Sequence, residues 1–179
     1  MILTLLDTNT EAGDAVSNFT SSIDSTYDEY MFVCTDIGPA TDAVTFQFQA
    51  STDSGSNYNT TATTTFFRAY HAESGSEAAV GYLTGNDLAQ ATTFVHLSET
   101  EQVGNGADES LSCILHLFAP SNTTYVKHFY ATSVYNSAAN AAQNAFTAGY
   151  FNTTSAIDAI SFKMSSGNMD GVIQMYGIA

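Results

Sequence analysis

Cationic side chains are nearly missing from this sequence. Arg68, Lys127 and Lys163 stand against 18 acids, for a net charge of -15. Phosphate recognition rests on Lys and Arg, so the balance argues against nucleic-acid binding. It argues equally against docking on an anionic membrane, which takes clustered basic residues. Tryptophan is absent, which removes the largest aromatic platform from any sugar cleft. The two cysteines, Cys34 and Cys113, are too few for a disulfide framework and lie in apolar runs far apart, so they read as free buried thiols. No apolar run approaches the ~20 residues of a membrane helix. The opening M-I-L-T-L-L-D has no basic n-region and does not read as a signal peptide.

Chemical motifs are missing as well. There is no G-x-S-x-G elbow, P-loop, H-E-x-x-H or C-x-x-C. The four histidines, His71, His96, His116 and His128, fall singly in strand-like runs without an H-x-H pair, so they read as structural rather than metal-ligating. Acidic loops at Asp53 to Asn57 and Gly104 to Glu109 offer oxygen ligands for Ca²⁺ but lack EF-hand spacing, and read as solvated loops. Four N-x-[ST] triplets, at Asn18, Asn59, Asn122 and Asn152, are what a chain rich in Asn and Thr produces by chance. Carboxylates are plentiful enough that a glycosidase pair stays open. No catalytic residue, cofactor or metal ligand is assigned.

What the sequence has is alternation. An apolar fraction of 44% over a length suited to one domain points to a single unit, residues 1–179, able to bury a core without staples. The plainest strand is Asp42 to Ser51, with Val44, Phe46 and Phe48 on one side and Thr45, Gln47 and Gln49 on a side read as wet. Strands are also read at Ile2 to Leu6, around Phe19 to Ile23, Glu29 to Ile37, Thr61 to Glu73, Thr92 to Ser98, Ser110 to Ala119 and Thr124 to Tyr135. Pro39 and Pro120 each follow an apolar run, where a residue without a ladder donor ends a strand. Thr8 to Asp14 reads as a polar segment ending in a Gly-Asp turn. Ser74 to Ala91, broken by glycines, reads as a loop with one helical turn at most, as does the Ala-rich Ser137 to Ala148. The segment from Tyr150 to Ala179 reads as two strands, the first with Ile160, Phe162 and Met164, the second with Ile173 and Met175, closing a hairpin over the turn Ser165 to Asn168. The fold predicted is all-β: an antiparallel β-sandwich, jelly-roll-like, of about ten strands with little helix.

Two strands are apolar on both faces. Glu29 to Ile37 carries Tyr30, Phe32 and Cys34 on one side and Met31, Val33 and Ile37 on the other. Thr124 to Tyr135 sets Tyr125 and Phe129 against Val126, Tyr130 and Val134. A sandwich strand needs one buried face, so the other is to be covered by a loop, another strand layer or a neighbouring subunit; a second copy is the leading expectation, and Ser74 to Ala91 folded over a monomer the alternative. The interface residues predicted are Tyr30, Phe32, Tyr125 and Phe129, in a homo-oligomer expected to be a trimer.

Several segments together resemble a family of marine bacteriophage virion proteins. They are I-D-S-T-Y-D-E-Y (Ile23 to Tyr30), I-G-P-A-T-D (Ile37 to Asp42), Thr63 to Phe67, T-T-Y-V-K-H-F (Thr123 to Phe129) and the long block T-T-S-A-I-D-A-I-S-F-K-M-S-S-G-N-M-D-G-V-I-Q-M-Y-G-I up to Ile178. Gly38 stands where the family pattern has His before Pro. The resemblance implies an exposed structural component of the particle, made in the host bacterial cytoplasm, whose partners are other virion proteins such as the major capsid protein or tail proteins. It implies no catalytic residues. Negative charge would be repelled by packaged DNA, which puts the chain on the virion exterior. The leading expectation is a capsid decoration (cement) protein. A tail-fibre or baseplate domain binding host surface glycan is the alternative, and a carbohydrate-active enzyme on a β-sandwich the second.

Overall fold

Side-chain alternation organises the chain into twelve strands in the computed structural model, which describes residues 2–179 and has no α-helix among them. Strands β1 (Leu3–Asp14), β2 (Ser17–Phe19), β3 (Glu29–Pro39) and β4 (Phe46–Ser51) come first. They are followed by β5 (Ala62–Ala72), β6 (Ala78–Tyr82), β7 (Val95–His96) and β8 (Leu111–Phe118). Last come β9 (Lys127–Ser137), β10 (Ala141–Phe151), β11 (Ala159–Met164) and β12 (Met169–Ile178). Strands β1, β2, β3 and β4 pair antiparallel with β12, β11, β8 and β7 respectively. The path is therefore a long hairpin of four rungs rolled up so that successive rungs fall in alternate sheets, which is the jelly-roll arrangement. The hairpin β5–β6 is inserted within the last rung, between β4 and β7, and β9–β10 between β8 and β11; both extend the large sheet only. The result is an eight-stranded sheet ordered β1-β12-β3-β8-β9-β10-β5-β6 facing a four-stranded sheet ordered β2-β11-β4-β7.

The core lies between the sheets and is built on aromatic rings. Phe162, in the middle of β11, is fully buried, and its ring centroid lies 5.4 to 6.2 Å from those of Phe19, Phe32, Phe46 and Phe48. Phe48 also meets Phe129 and Phe151 edge-on. Such rings bury large apolar area, and a contiguous cluster of them ties the two sheets into one unit.

Several sequence expectations are corrected here. The segments β11 and β12 do not form a hairpin: β11 pairs with β2 and β4, while β12 pairs with β1 and β3 in the other sheet. The turn containing Gly167, at φ 75°, carries the chain across the sandwich. Period two reports which side of a strand is buried but not which strand lies beside it. No helical turn forms in Ser74 to Ala91 or Ser137 to Ala148. They supply the edge strand β6 and the eleven-residue β10, whose Ala141 and Ala145 are buried side chains of the inner face. Pairing on both sides of β10 overrides the helical preference of alanine. The polar segment Thr8 to Asp14, read as lying beyond the first strand, continues β1 along the sheet edge.

Two facial assignments also change. The expected wet side of β4 is covered: Thr45 and Gln49 are buried, with Gln49 Nε2 donating to the carbonyls of Thr92 and Thr93 (3.2 and 2.8 Å). Ile37 does not share a face with Met31 and Val33. A bulge between Cys34 and Ile37, with Asp36 at φ 52°, inserts one extra residue and turns Ile37 into the core. The neighbouring β12 shifts register at Gly171, whose φ of 129° suits glycine and where a Cβ would press on the Asp36 carbonyl at 2.8 Å.

Candidate functional site

The outward positions of β3, β8, β9, β10 and β5 form one surface. Register sets them in rows across the sheet. Val33, Ile114, Thr132, Phe146, Phe67 and Tyr82 make one row. Met31, His116, Tyr130, Ala148 and Thr65 make the next. Ile114, Tyr130, Val134, Phe67 and Tyr82 are each between 42% and 56% exposed, so the large apolar groups of this face meet solvent. Phe67 stacks on Phe146 with centroids 4.7 Å apart, and His116 stacks on Tyr130 at the same distance. Stacking lays the rings against the sheet and keeps the face even.

Charge avoids this surface. Glu29 at one end, with its Oε1 2.5 Å from His116 Nδ1, and Asp36 in the bulge are the only carboxylates on the outward side of these five strands. The three cations are engaged elsewhere. Lys127 is fully buried, its Nζ donating to the carbonyls of Tyr125 and Thr153 (2.9 and 3.1 Å), and burial lowers its pKa. Lys163 Nζ sits 4.2 Å above the Phe94 ring, and Arg68 pairs with Glu99. The remaining surface therefore presents carboxylates with little to offset them.

A polar cavity of about 230 Å³ lies at the opposite side of the large sheet, where β5 and β10 run past the small one. The guanidinium carbon of Arg68 is 4.2 Å from the Tyr70 ring centroid, and its Nε is 2.5 Å from Glu99 Oε2. The Nε–H is not directed along that contact and has no hydrogen-bond partner. Gln143, buried, donates through Nε2 to Gln102 Oε1 (3.3 Å) and accepts from the Tyr135 hydroxyl (3.2 Å). That hydroxyl also accepts from the Glu99 backbone N–H (3.0 Å), and burial pushes its pKa well up. Tyr70 donates to Glu77 Oε2 (3.3 Å). Ser137, fully buried on the cavity wall, has a hydroxyl without a partner.

The structure divides the predicted interface residues. Tyr30, Phe32 and Phe129 point into the sandwich and are 0 to 3% exposed, so their side chains cannot line a contact between copies. The two-faced strands are real, but the face carrying the larger rings is the inner one. Tyr125 is exposed, in the loop before β9 rather than on the strand. Tyr130, Val134, Met31 and Val33, read as the opposite face, are the outward set. Phe67, Tyr82 and Phe146 escaped the sequence reading because adjacent apolar residues in T-F-F-R, a glycine-broken run and an Ala-rich run, respectively, obscure their alternation.

The histidines do not converge. His71, His116 and His128 lie apart on the outer face, and His96 lies under the segment from Asn86. The acids of the two candidate Ca²⁺ loops close their own loops. Asp53 accepts from Ser51 Oγ, Asn57 N and Asn57 Nδ2, and Glu109 Oε2 accepts from the Gly106 N–H at 2.6 Å. Cys34 and Cys113 are free, buried, and directly opposite one another on β3 and β8.

No protein-family model matches the chain, and no curated protein matches it. Among the solved structures similar to part of it is a structural-genomics protein of unknown function from Bacteroides ovatus. The match covers 60% of this chain and 45% of that one at 8% identity, with a TM-score of 0.32. So faint a likeness carries no argument about function.

Proposed function

We propose that this chain is a structural protein of a bacteriophage particle, carried on the particle exterior as a capsid decoration (cement) protein, and that its copies associate through the outer face of the large sheet. The observation that carries the reading is the scarcity of carboxylates on the outward side of β3, β8, β9, β10 and β5, where only Glu29 and Asp36 stand, in a chain with net charge -15. Copies so charged repel each other, and they can meet closely only where the charge is absent. Five strands ~4.8 Å apart, read over six residues of ~3.4 Å rise, make a face of roughly 500 Å². One side of a standard protein interface is about 800 Å², so this face supplies more than half of one side of a contact with a second copy of this chain. A trimer is the closure expected, since capsid surfaces offer threefold axes. The exterior position follows from repulsion between this chain and packaged DNA.

The test is to locate the chain in purified particles by reconstruction and quantitative mass spectrometry. A copy number comparable to that of the shell protein, with density on the outer surface, supports decoration. A few copies at the tail favour the fibre or baseplate reading, and absence from particles removes both.

A further inference from the structure

We infer that the free edge of β6 is a strand-pairing site for β6 of a second copy, the two strands running antiparallel about a twofold axis at Val80. The pairing follows from the edge itself; its role, joining neighbouring assemblies on a particle surface, rests on the proposed function.

The two sheets have four edge strands, and three of them are guarded. β1 carries Asp7, Glu11 and Asp14 and breaks register twice against β12. β2 and β7 are only three and two residues long. Charge, irregular pairing and short length are ordinary means of keeping an edge from adding another strand. β6 has none of them. Its run A-A-V-G-Y is uncharged, holds regular register with β5, and is exposed at every residue, with Val80 at 74%. Two copies of net charge -15 can approach along such a strip without opposing carboxylates.

Two bonds bracket the β5–β6 ladder and fix its phase. Ala72 N donates to the Glu77 carbonyl (2.8 Å), and Leu83 N donates to that of Phe66 (3.0 Å). Antiparallel bonding alternates along a strand, so Ala79 and Gly81 turn their backbone groups toward β5. Ala78, Val80 and Tyr82 turn theirs to the open edge, and no strand among the described residues lies beyond it.

Those three residues are self-complementary. With Val80 opposite the partner's Val80, Ala78 falls opposite the partner's Tyr82 and Tyr82 opposite the partner's Ala78. Every N–H and C=O on the open edge then finds its counterpart. Side chains agree with this register. Ala78, Val80 and Tyr82 share the outward side with Phe67 and Ala69 of β5, so at each end a Tyr82 ring lies beside a small Ala78. On the inner side Ala79 meets the partner's Gly81, and neither holds the strands apart. Glu77, the acid next to the strand, falls opposite the partner's Leu83. Six residues of ~3.4 Å rise keep it ~20 Å from the partner's Glu77, beyond twice the ~8 Å Debye length of physiological salt. A pair of five-residue strands buries well under the ~1,000 Å² of a stable interface, so it does not hold two free monomers together. Between assemblies that each present several such edges, the same pairing acts at high effective concentration.

Disulfide trapping captures so weak a contact, and the full chain carrying Tyr130→Asp keeps the outer-face contact out of the readout. Ala79→Cys and Gly81→Cys are made separately in that background. Mixed and treated with oxidised glutathione, they should give a covalent heterodimer, because a directly opposed pair of this type lies ~4.5 Å apart at Cα. Either variant alone places its thiols on a diagonal of ~7–8 Å and should cross-link about tenfold more slowly or less. Val80→Pro removes an N–H that β5 does not use, and Val80→Glu sets two carboxylates against each other at the axis. Both should keep the melting temperature of the background protein and lose the heterodimer. No heterodimer, equally fast cross-linking of the single variants, or a heterodimer that survives both Val80 changes would overturn the inference. The background already lacks the outer-face contact, so these outcomes are separate from success or failure of the assembly reading.

Discussion

Replacing Phe162 by Ala should cost far more than replacing Tyr125 by Ala, although both positions are aromatic. Phe162 is fully buried and meets four other rings within 6.2 Å, on a strand held between β2 and β4. Removing that ring leaves a cavity walled by side chains from both sheets, which cannot collapse without moving one sheet against the other. Phe→Ala at such sites costs about 3–5 kcal/mol. At this length 1 kcal/mol lowers the melting temperature by ~2–4 °C, so the drop is on the order of 10 °C. Tyr125 is 69% exposed, and only its backbone groups bond, to Asn122 and Lys127. Its truncation should stay within about 0.5 kcal/mol. Thermal and urea unfolding of both variants, at one protein concentration in high salt, compares them. Equal costs, or a cost below about 1 kcal/mol for Phe162→Ala, would refute the account of a core centred on β11.

Three further outcomes follow from charge and burial. The melting temperature at neutral pH should climb by several degrees between low and high NaCl, because the Debye length falls from ~10 Å at 0.1 M to ~3 Å at 1 M; a flat or falling curve would show that self-repulsion is unimportant. Burial lowers the His96 pKa from its ordinary 6.5, so below that value the unfolded chain binds a proton that the folded one resists, and stability is lost as pH falls from 7 toward 5. The gap in melting temperature between the parent and His96→Gln should therefore narrow over that range, a difference that cancels carboxylates titrating in both proteins; a constant or widening gap contradicts it. Burial, with the facing Cys113 thiol, raises the Cys34 pKa well above its ordinary value. Neither thiol should react with a disulfide reagent until the chain is unfolded, and rapid labelling of the native protein would place them wrongly.

Sequence legibility ended where pairing partners began. Val44, Phe46 and Phe48 alternate in plain view, and all are buried. The apparent hairpin over Ser165 to Asn168 misled because two amphipathic runs joined by a turn look the same whether they pair or cross the sandwich. Ala141 and Ala145 looked helical because alanine has no β signature of its own, and only pairing with β5 and β9 makes that run a strand. Ile37 fell on the wrong face because a bulge adds one to the count. The cavity groups Arg68, Glu99, Ser137 and Gln143 come from distant segments of the chain. No spacing rule joins them, though the rarity of cations marked Arg68 for attention.

The solution mass of the chain, with and without a charge on the outer face, tests assembly most directly. Tyr130 is 46% exposed in the centre of that face, and Tyr130→Asp would set a carboxylate there while leaving the core untouched. Light scattering in high salt should give a multiple of 19.0 kDa for the parent, three copies for the expected trimer, and a single copy for Tyr130→Asp. Tyr125→Asp, outside the face, should assemble as the parent does. A parent that stays at 19.0 kDa, or a Tyr130→Asp protein that assembles unchanged, would contradict the proposal that copies meet through the outer face.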